Sequence, residues 1–270
     1  MSITEPFLRW AGGKNWFVNH YINLIKNIDI NHYHEPFLGG ASVFFSTNHS
    51  LKSYLSDING DLINTYICIR DNPRDVISKL ETFQNTEADY YNIRSLKTND
   101  PTIQAARFIF LNQTSYNGIY RVNKNGDYNV PYGKRTWKLD KNKLMVASLK
   151  LKNTNIKQGD FDCNKYIIKP HDLIFLDPPY TVSHNNNGFI EYNQVHFSLE
   201  DQYRLSKFID YIKHKDAYYI LTNAAHQTIA EIFEKGDRRL ELNRKSLVGG
   251  KNATRQDVQE FVFTNIPYND

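Results

Sequence analysis

The sequence predicts an α/β fold: a mostly parallel sheet domain interrupted by a helical and basic insertion. Three observations lead to this expectation. Strand and helix signals alternate at both ends of the chain, the pattern of βαβ units. An apolar run, Asp172-Leu173-Ile174-Phe175-Leu176, reads as a buried parallel strand, and Asp177-Pro178-Pro179 stops it. The middle of the chain has helical periodicity from about Pro73 to Leu111 and then turns strongly basic. The sheet domain is therefore expected over residues 1–60 and 150–270, and the insertion over 61–149.

The elements follow in order. His32 to Leu38 reads as a strand, followed by the turn Gly39-Gly40 and a helix through Ala41-Ser42-Val43-Phe44-Phe45. A second strand, Lys52 to Ser56, ends at Asp57, and the helix after it carries apolar Leu62, Ile63, Tyr66 and Ile67. Pro73 and Pro101 suit the first turns of two further helices, where a missing amide costs nothing. Asn125-Gly126 sits between short strand-like runs from Ile119 to Val130 and signals a two-residue hairpin. Strands resume near Asn155 and are expected again at Tyr218 to Thr222 and Val258 to Thr264, with a helix from Leu199 to Ile212.

Composition narrows the class of function. Of the 270 residues 40% are hydrophobic and 23% charged, which fits a soluble globular protein with a full core. Met1 to Lys14 has no apolar leader-like segment, and no stretch approaches a membrane span. Cys68 and Cys163 are far apart and are expected as buried apolar positions in a reducing, cytoplasmic protein. The histidines form no metal-ligand spacing, so no metal is expected; His184, His196 and His226 read as surface or loop residues. The net charge of +4 is unevenly spread. Between Asn117 and Lys152, nine Lys and Arg face only Asp127 and Asp140, which leaves the rest of the chain acidic. A basic segment on an acidic body suits a polyanion partner, although a lysine-rich solvated surface would look the same.

Asp177-Pro178-Pro179-Tyr180 is the most informative motif. A bare Asp-Pro-Pro reads most simply as a stopped strand whose Asp caps the next element. With Tyr180 attached and an apolar strand before it, the motif suits recognition of an exocyclic amino group. Asp177 and the Pro178 carbonyl can accept its two hydrogens while Tyr180 stacks on the ring that bears it. Glu35-Pro36-Phe37-Leu38-Gly39-Gly40 runs a strand into a Gly turn and helix, where the backbone can approach a ligand. The dinucleotide pattern G-x-G-x-x-G is absent. Asp57, at the end of the next strand, is placed to take ribose hydroxyls. This combination suits a nucleoside cofactor such as S-adenosylmethionine. Arg9-Trp10-Ala11-Gly12-Gly13-Lys14 could add an aromatic plane and a cation, and Asp160-Phe161 a carboxylate and a ring for the cofactor adenine.

Taken together, these segments resemble the Dam-type DNA adenine-N6 methyltransferases, alpha group, over nearly the whole chain. The resemblance includes Ser56-Asp57-Ile58-Asn59, Tyr116-Asn117-Gly118 with Arg121, and Asn129-Val130-Pro131-Tyr132-Gly133. It implies a Rossmann-like S-adenosylmethionine-dependent methyltransferase sheet with an inserted helical and β-hairpin DNA-recognition domain. Residue by residue, Trp10, Lys14, Asp57 and Asp177 match positions that hold S-adenosylmethionine, Phe37 and Gly39 its methionine side, and Asp160 and Phe161 its adenine. Asp177, Pro178 and Tyr180 match the residues that grip the target adenine. Arg9, Asn117, Ile119, Arg121 and Pro131 match positions that touch the recognition sequence, Tyr116 one that inserts into the base stack. Lys134 is expected on DNA as well, where many members carry Arg.

The post-motif stretch Thr181 to Gly188 also departs from the usual loop, and both departures bear on which sequence is read. The expected partner is double-stranded DNA, with GATC as the expected site, no membrane and a monomeric protein. An amino-methylating enzyme of RNA adenine or of cytosine N4, an adenine methyltransferase of another DNA sequence, and a catalytically silent DNA-binding module are the alternatives. A loop at Gly249 to Arg255 could touch phosphate, but reads more simply as solvated.

Overall fold

The computed structural model describes residues 4–47, 51–181, 197–245 and 257–267. The expected loops at Val182 to Gly188 and Gly249 to Arg255, with His184 and His196, lie outside them. The chain divides into two compact units, one of residues 1–22 and 38–160, the other of 23–37 and 161–270. Val18–Ile25 (α1) runs along the chain from the first into the second.

In the first unit, Ser53–Asp57 (β2) and Thr154–Gln158 (β3) pair in parallel, from Ser53 opposite Thr154 to Asp57 opposite Gln158. Six helices accompany them: Ser42–Ser46 (α2), Gly60–Asp71 (α3), Pro73–Glu81 (α4), Glu87–Ser95 (α5), Pro101–Thr114 (α6) and Lys141–Leu151 (α7). Their starts are written locally. The side chains of Asn59, Thr86, Asp100 and Asp140 each accept from a first-turn amide, and Pro73 and Pro101 occupy first-turn positions as expected. Helix α3 packs against α6 and α7.

Among the described residues the second unit has five strands in the order β1-β4-β5-β7-β6: Tyr33–Glu35 (β1), Leu173–Leu176 (β4), Tyr218–Ala224 (β5), Asp257–Thr264 (β7) and Arg238–Lys245 (β6). The β1–β4 and β4–β5 ladders are parallel, the β5–β7 and β6–β7 ladders antiparallel. Helices Leu199–His214 (α8) and Gln227–Phe233 (α9) flank them in sequence. Ser198 and Asp201 form a reciprocal capping box on α8, and the His226 ring accepts from the Thr228 amide at the start of α9. The core of this unit includes Ile174, Leu176, Phe161, Phe208, Ile209, Leu221 and Phe263.

The α/β class and the mostly parallel strands agree with the sequence expectation. Several bounds do not. The first strand is only three residues, because Pro36 follows Glu35 directly. The 119–130 hairpin has no strand of its own: Val122 bridges Tyr128, and the Asn123 side chain accepts from the amides of Asn125 and Asp127 inside the turn. Cys68 is buried, but Cys163 is only half-buried, in the turn after Phe161. No described helix is long and apolar enough to cross a membrane.

At the opposite end of β4 from the prolines, Asp172 is fully buried. It is reached by His32 Nδ1 at 2.8 Å, His34 Nε2 at 3.0 Å and the Lys169 amide at 2.9 Å. Burial alone would raise its pKa, but these hydrogen bonds outweigh it and hold the carboxyl below its ordinary range. The stability this contributes is present above the unfolded-state pKa and lost as pH falls through the lower folded value. Asp172→Asn is expected to cost about 2–4 kcal/mol in urea unfolding at pH 7. The gap to the parent should shrink on acidification towards the folded-state pKa.

Candidate active site

The residues singled out by sequence are divided between the units: Trp10, Lys14, Gly39, Asp57 and Asp160 belong to the first, and Phe37, Phe161, Asp177, Pro178 and Tyr180 to the second. In the first unit, β2 ends at Asp57 and the chain turns into α3. Asp57 accepts from the Gly39 amide on Oδ2 at 2.9 Å and from the Asn59 amide on Oδ1 at 3.0 Å. Burial pushes its pKa up, and these amides oppose the rise. Its carbonyl takes the Gly159 amide at 3.0 Å, which brings the turn before Asp160 beside it. Both turns lie at the carboxyl ends of parallel strands, the edge where α/β sheets bind ligands.

Gly39 has φ +46°, and a Cβ there would lie 2.8 Å from Cδ1 and Nε1 of Trp10. A Cβ on Gly40 would lie 2.8 Å from the Trp10 Cβ. Both positions are therefore closed to a side chain by Trp10, Gly39 by its indole and Gly40 by its Cβ. Trp10 also stacks with Tyr120, ring centroids 6.0 Å apart, and with Phe108 at 6.5 Å. Lys14 is buried with its ammonium on the Gly12 carbonyl at 3.1 Å.

In the second unit, β4 ends at Leu176, two residues before the first proline. Asp177 Oδ1 accepts from the Thr222 hydroxyl of β5 at 2.8 Å. Pro178 is buried and Pro179 exposed. The Tyr180 ring packs against the core of the unit, and its hydroxyl donates to Oε2 of Glu260, a fully buried residue of β7. Arg244 of β6 binds the other oxygen, Oε1, through Nε. Burial, with the charges of Asp177 and Glu260, lifts the Tyr180 pKa well above that of free tyrosine. Thr181 is buried, donates to the Phe197 carbonyl and accepts from Gln202, which Asn223 binds in turn. Phe37 stacks on Phe161, centroids 5.6 Å apart, and the Arg204 guanidinium lies over Phe161 at 4.9 Å. Phe161 itself is buried in the core.

The basic segment lies wholly in the first unit. Its two arms are joined by Tyr116 N to Pro131 O at 2.9 Å and Gly133 N to Thr114 O at 2.8 Å. Gly133 is obligatory, since a Cβ would meet the Ser115 carbonyl oxygen at 2.5 Å. Tyr90 and Arg94 of α5 both donate to the Val130 carbonyl. On this braced turn Tyr116, Asn117, Ile119, Arg121, Pro131 and Lys134 are exposed. Asn117 and Lys134 adopt left-handed conformations, φ +54° and +53°. Arg121 is aimed by its own neighbour, donating from Nε to Asn129 Oδ1 at 2.7 Å. Arg9 is fixed by backbone: its amide and carbonyl pair with the two ends of the Asn112 side-chain amide at 2.8 and 2.6 Å. Burial and the charge of Arg135 lower its pKa, so two cations share this region.

Residues 10–247 match the family model described as D12 class N6 adenine-specific DNA methyltransferase. The chain belongs to this family. Its activity is adenine-N6 methylation of DNA. A Type II methyltransferase of Lactococcus lactis subsp. cremoris is 31% identical over 97% of this chain and 95% of that protein. A Type II methyltransferase of Methanocaldococcus jannaschii is 31% identical over 97% and 99%. The DNA adenine methylase of Escherichia coli K12 is 26% identical over 97% and 95%.

Thr222, Glu260 and Arg244 were missed from sequence. The signal for Glu260 was present: a lone carboxylate at an inward position of the strand, with Val258 and Val262 on either side at period two. Thr222 carries no such mark in an apolar strand. The Trp10 contact gives a direct test of the glycine turn. Gly39→Ala is expected to cost about 1–3 kcal/mol in urea unfolding, from overpacking and left-handed strain together. In a Trp10→Ala background the steric share should vanish, leaving about 1 kcal/mol.

Proposed function

We propose that this methyltransferase transfers the methyl group of S-adenosylmethionine to N6 of adenine in GATC of double-stranded DNA, after turning the base out of the helix. The observation behind this reading is Asp177, stopped at the end of β4 by the prolines and turned by Thr222, three residues before Tyr180. A carboxylate has more acceptor sites than one hydroxyl uses, so the amine can be received beside Thr222.

S-adenosylmethionine, when bound, supplies an electrophilic methyl on a sulfonium. The chain's donor set fits its nucleoside. Asp57 accepts two amides and has lone pairs left for ribose hydroxyls; Asp160 and Phe161 are proposed on the adenine side. Trp10, Lys14, Phe37 and Gly39 are proposed on the methionine side and around it. The target adenine's amine is a weak nucleophile because its lone pair is delocalised into the ring. Asp177 and the Pro178 carbonyl, accepting the two N6 hydrogens, favour a tetrahedral nitrogen with its lone pair directed at the methyl. Tyr180 holds the ring by stacking. Transfer is direct and in line: N6 bonds the methyl as the methyl–sulfur bond breaks, the sulfur leaves as a neutral thioether, and the surplus N6 proton passes by way of Asp177 to solvent. Positioning and electrostatics therefore carry the rate and no covalent enzyme intermediate forms.

An adenine in a duplex is paired through N6, so it has to leave the stack, at a cost of a few kcal/mol. Residues 61–149 are proposed as the target-recognition region. Lys134 and its basic neighbours supply phosphate affinity, and Arg9 is proposed to touch the recognition sequence. Arg121 is suited to a guanine O6/N7 edge and Pro131 to a thymine methyl, while Asn117 and Ile119 complete the reading surface. Tyr116, 55% exposed, is suited to fill the gap left by the departing base. The GATC target rests on the likeness of 116–121 and 129–133 to the Dam-type reading segment. A single copy of this surface suits a monomer.

Methyl transfer from labelled S-adenosylmethionine to unmethylated duplexes with and without GATC tests the reading. Label on adenine N6 in the GATC duplex alone is expected; equal label in both would remove GATC as the target. Asp177→Ala should lower kcat by about 10²–10³-fold or more with the fold intact by circular dichroism. Lys134→Ala should weaken DNA binding and reduce the slope of log K against log salt by about one.

A further inference from the structure

We propose that Glu260, held by Arg244, is a positioning residue that fixes the plane of Tyr180 and so the stacking surface for the target base. This rests on the adenine-methylation reading above. Glu260 is a buried carboxylate, and burying a charge opposes folding unless it is fully paired. A hydrophobic residue in place of such a pair is often neutral or stabilising, so stability alone gives little reason for it.

Its geometry gives a reason. One oxygen receives the Tyr180 hydroxyl and the other the Arg244 guanidinium, so the carboxylate is held at both ends. On the antiparallel ladders Glu260 faces Ala224 of β5 and Leu242 of β6. Arg244 lies two residues beyond Leu242 and therefore shares its face, while Thr222 lies two residues before Ala224 and shares that face too. One face of β5, β7 and β6 thus holds both Asp177, through Thr222, and Tyr180, through Glu260.

Stacking alone asks only for an aromatic face, which Phe would supply equally. The tie adds something else. It fixes the far end of the ring, so the tilt of the tyrosine, and of a base lying on it, is set by the sheet. Beside two carboxylates, the half-buried Tyr180 stays a neutral phenol and remains a donor to Glu260.

The test is a double-mutant cycle of Tyr180→Phe, Glu260→Gln and the double variant. The measurements are kcat and KM for S-adenosylmethionine on plasmid DNA free of adenine methylation, with thermal midpoints. Each single variant should lower kcat about tenfold or more while KM for S-adenosylmethionine stays within about twofold. The double variant should be no slower than Tyr180→Phe alone, because Glu260 acts through the hydroxyl. Multiplying losses, or a single variant with the parent kcat, overturns the proposal. If Glu260→Gln does not fold, Tyr180→Phe, which keeps the Glu260–Arg244 pair, decides by itself. A parent protein that leaves no N6-methyladenine would sink the functional reading, and the proposal with it; an active parent with unaffected variants sinks the proposal alone.

Discussion

Everything that Tyr180 and Asp177 can do begins with where β4 is made to end. A parallel strand buried on both faces would run on if its sequence allowed, but two prolines cannot pair, so the ladder stops at Leu176. The first residue past the ladder is a carboxylate, and a carboxylate at the rim of an apolar core needs partners. Thr222, on the next strand, donates to it and thereby also sets its direction. The same requirement recurs at β7, where the buried charge of Glu260 is satisfied by a phenol and a guanidinium together. In each case the polar partner that makes burial tolerable is also the one that gives the group a definite orientation.

The first unit meets a similar demand with backbone instead of side chains. Asp57 is the last residue of β2 where Asp177 is the first past β4, and its two oxygens take amides from Gly39 and Asn59. Amides at a strand-to-helix turn are fixed by the chain path, so this carboxylate is immobilised without a dedicated side-chain donor. The path itself depends on Trp10, whose indole and Cβ occupy the space that side chains at 39 and 40 would need.

What could be read from the sequence was whatever punctuates the backbone. Pro73, Pro101, Pro178 and Pro179 marked helix starts and a strand end because a missing donor and a fixed φ have the same meaning in any context. Glycine turns were equally visible as turns. Their cause was not, because the partner of Gly39 is an indole 29 residues earlier in the chain and only the fold brings it there. The hairpin at Asn125-Gly126 was legible as a turn, yet its arms are held by α5 and by single bridges, which no local pattern announces. Glu260 could have been noticed as a charge out of place; that it binds Tyr180 could not, since the two are 80 residues apart.

That separation has a bearing on how the molecule is made. Strand β7 lies between β5 and β6, both of which are synthesised before it, and it pairs with each of them. A chain emerging from the ribosome therefore has its Asp-Pro-Pro-Tyr turn early and the carboxylate for that tyrosine late. Long-range pairing of this kind is slow, because the loop has to close before any contact compensates for the lost freedom. The hydroxyl of Tyr180 has no Glu260 to bind until β7 has been synthesised, so this end of the second unit is complete only when the sheet is.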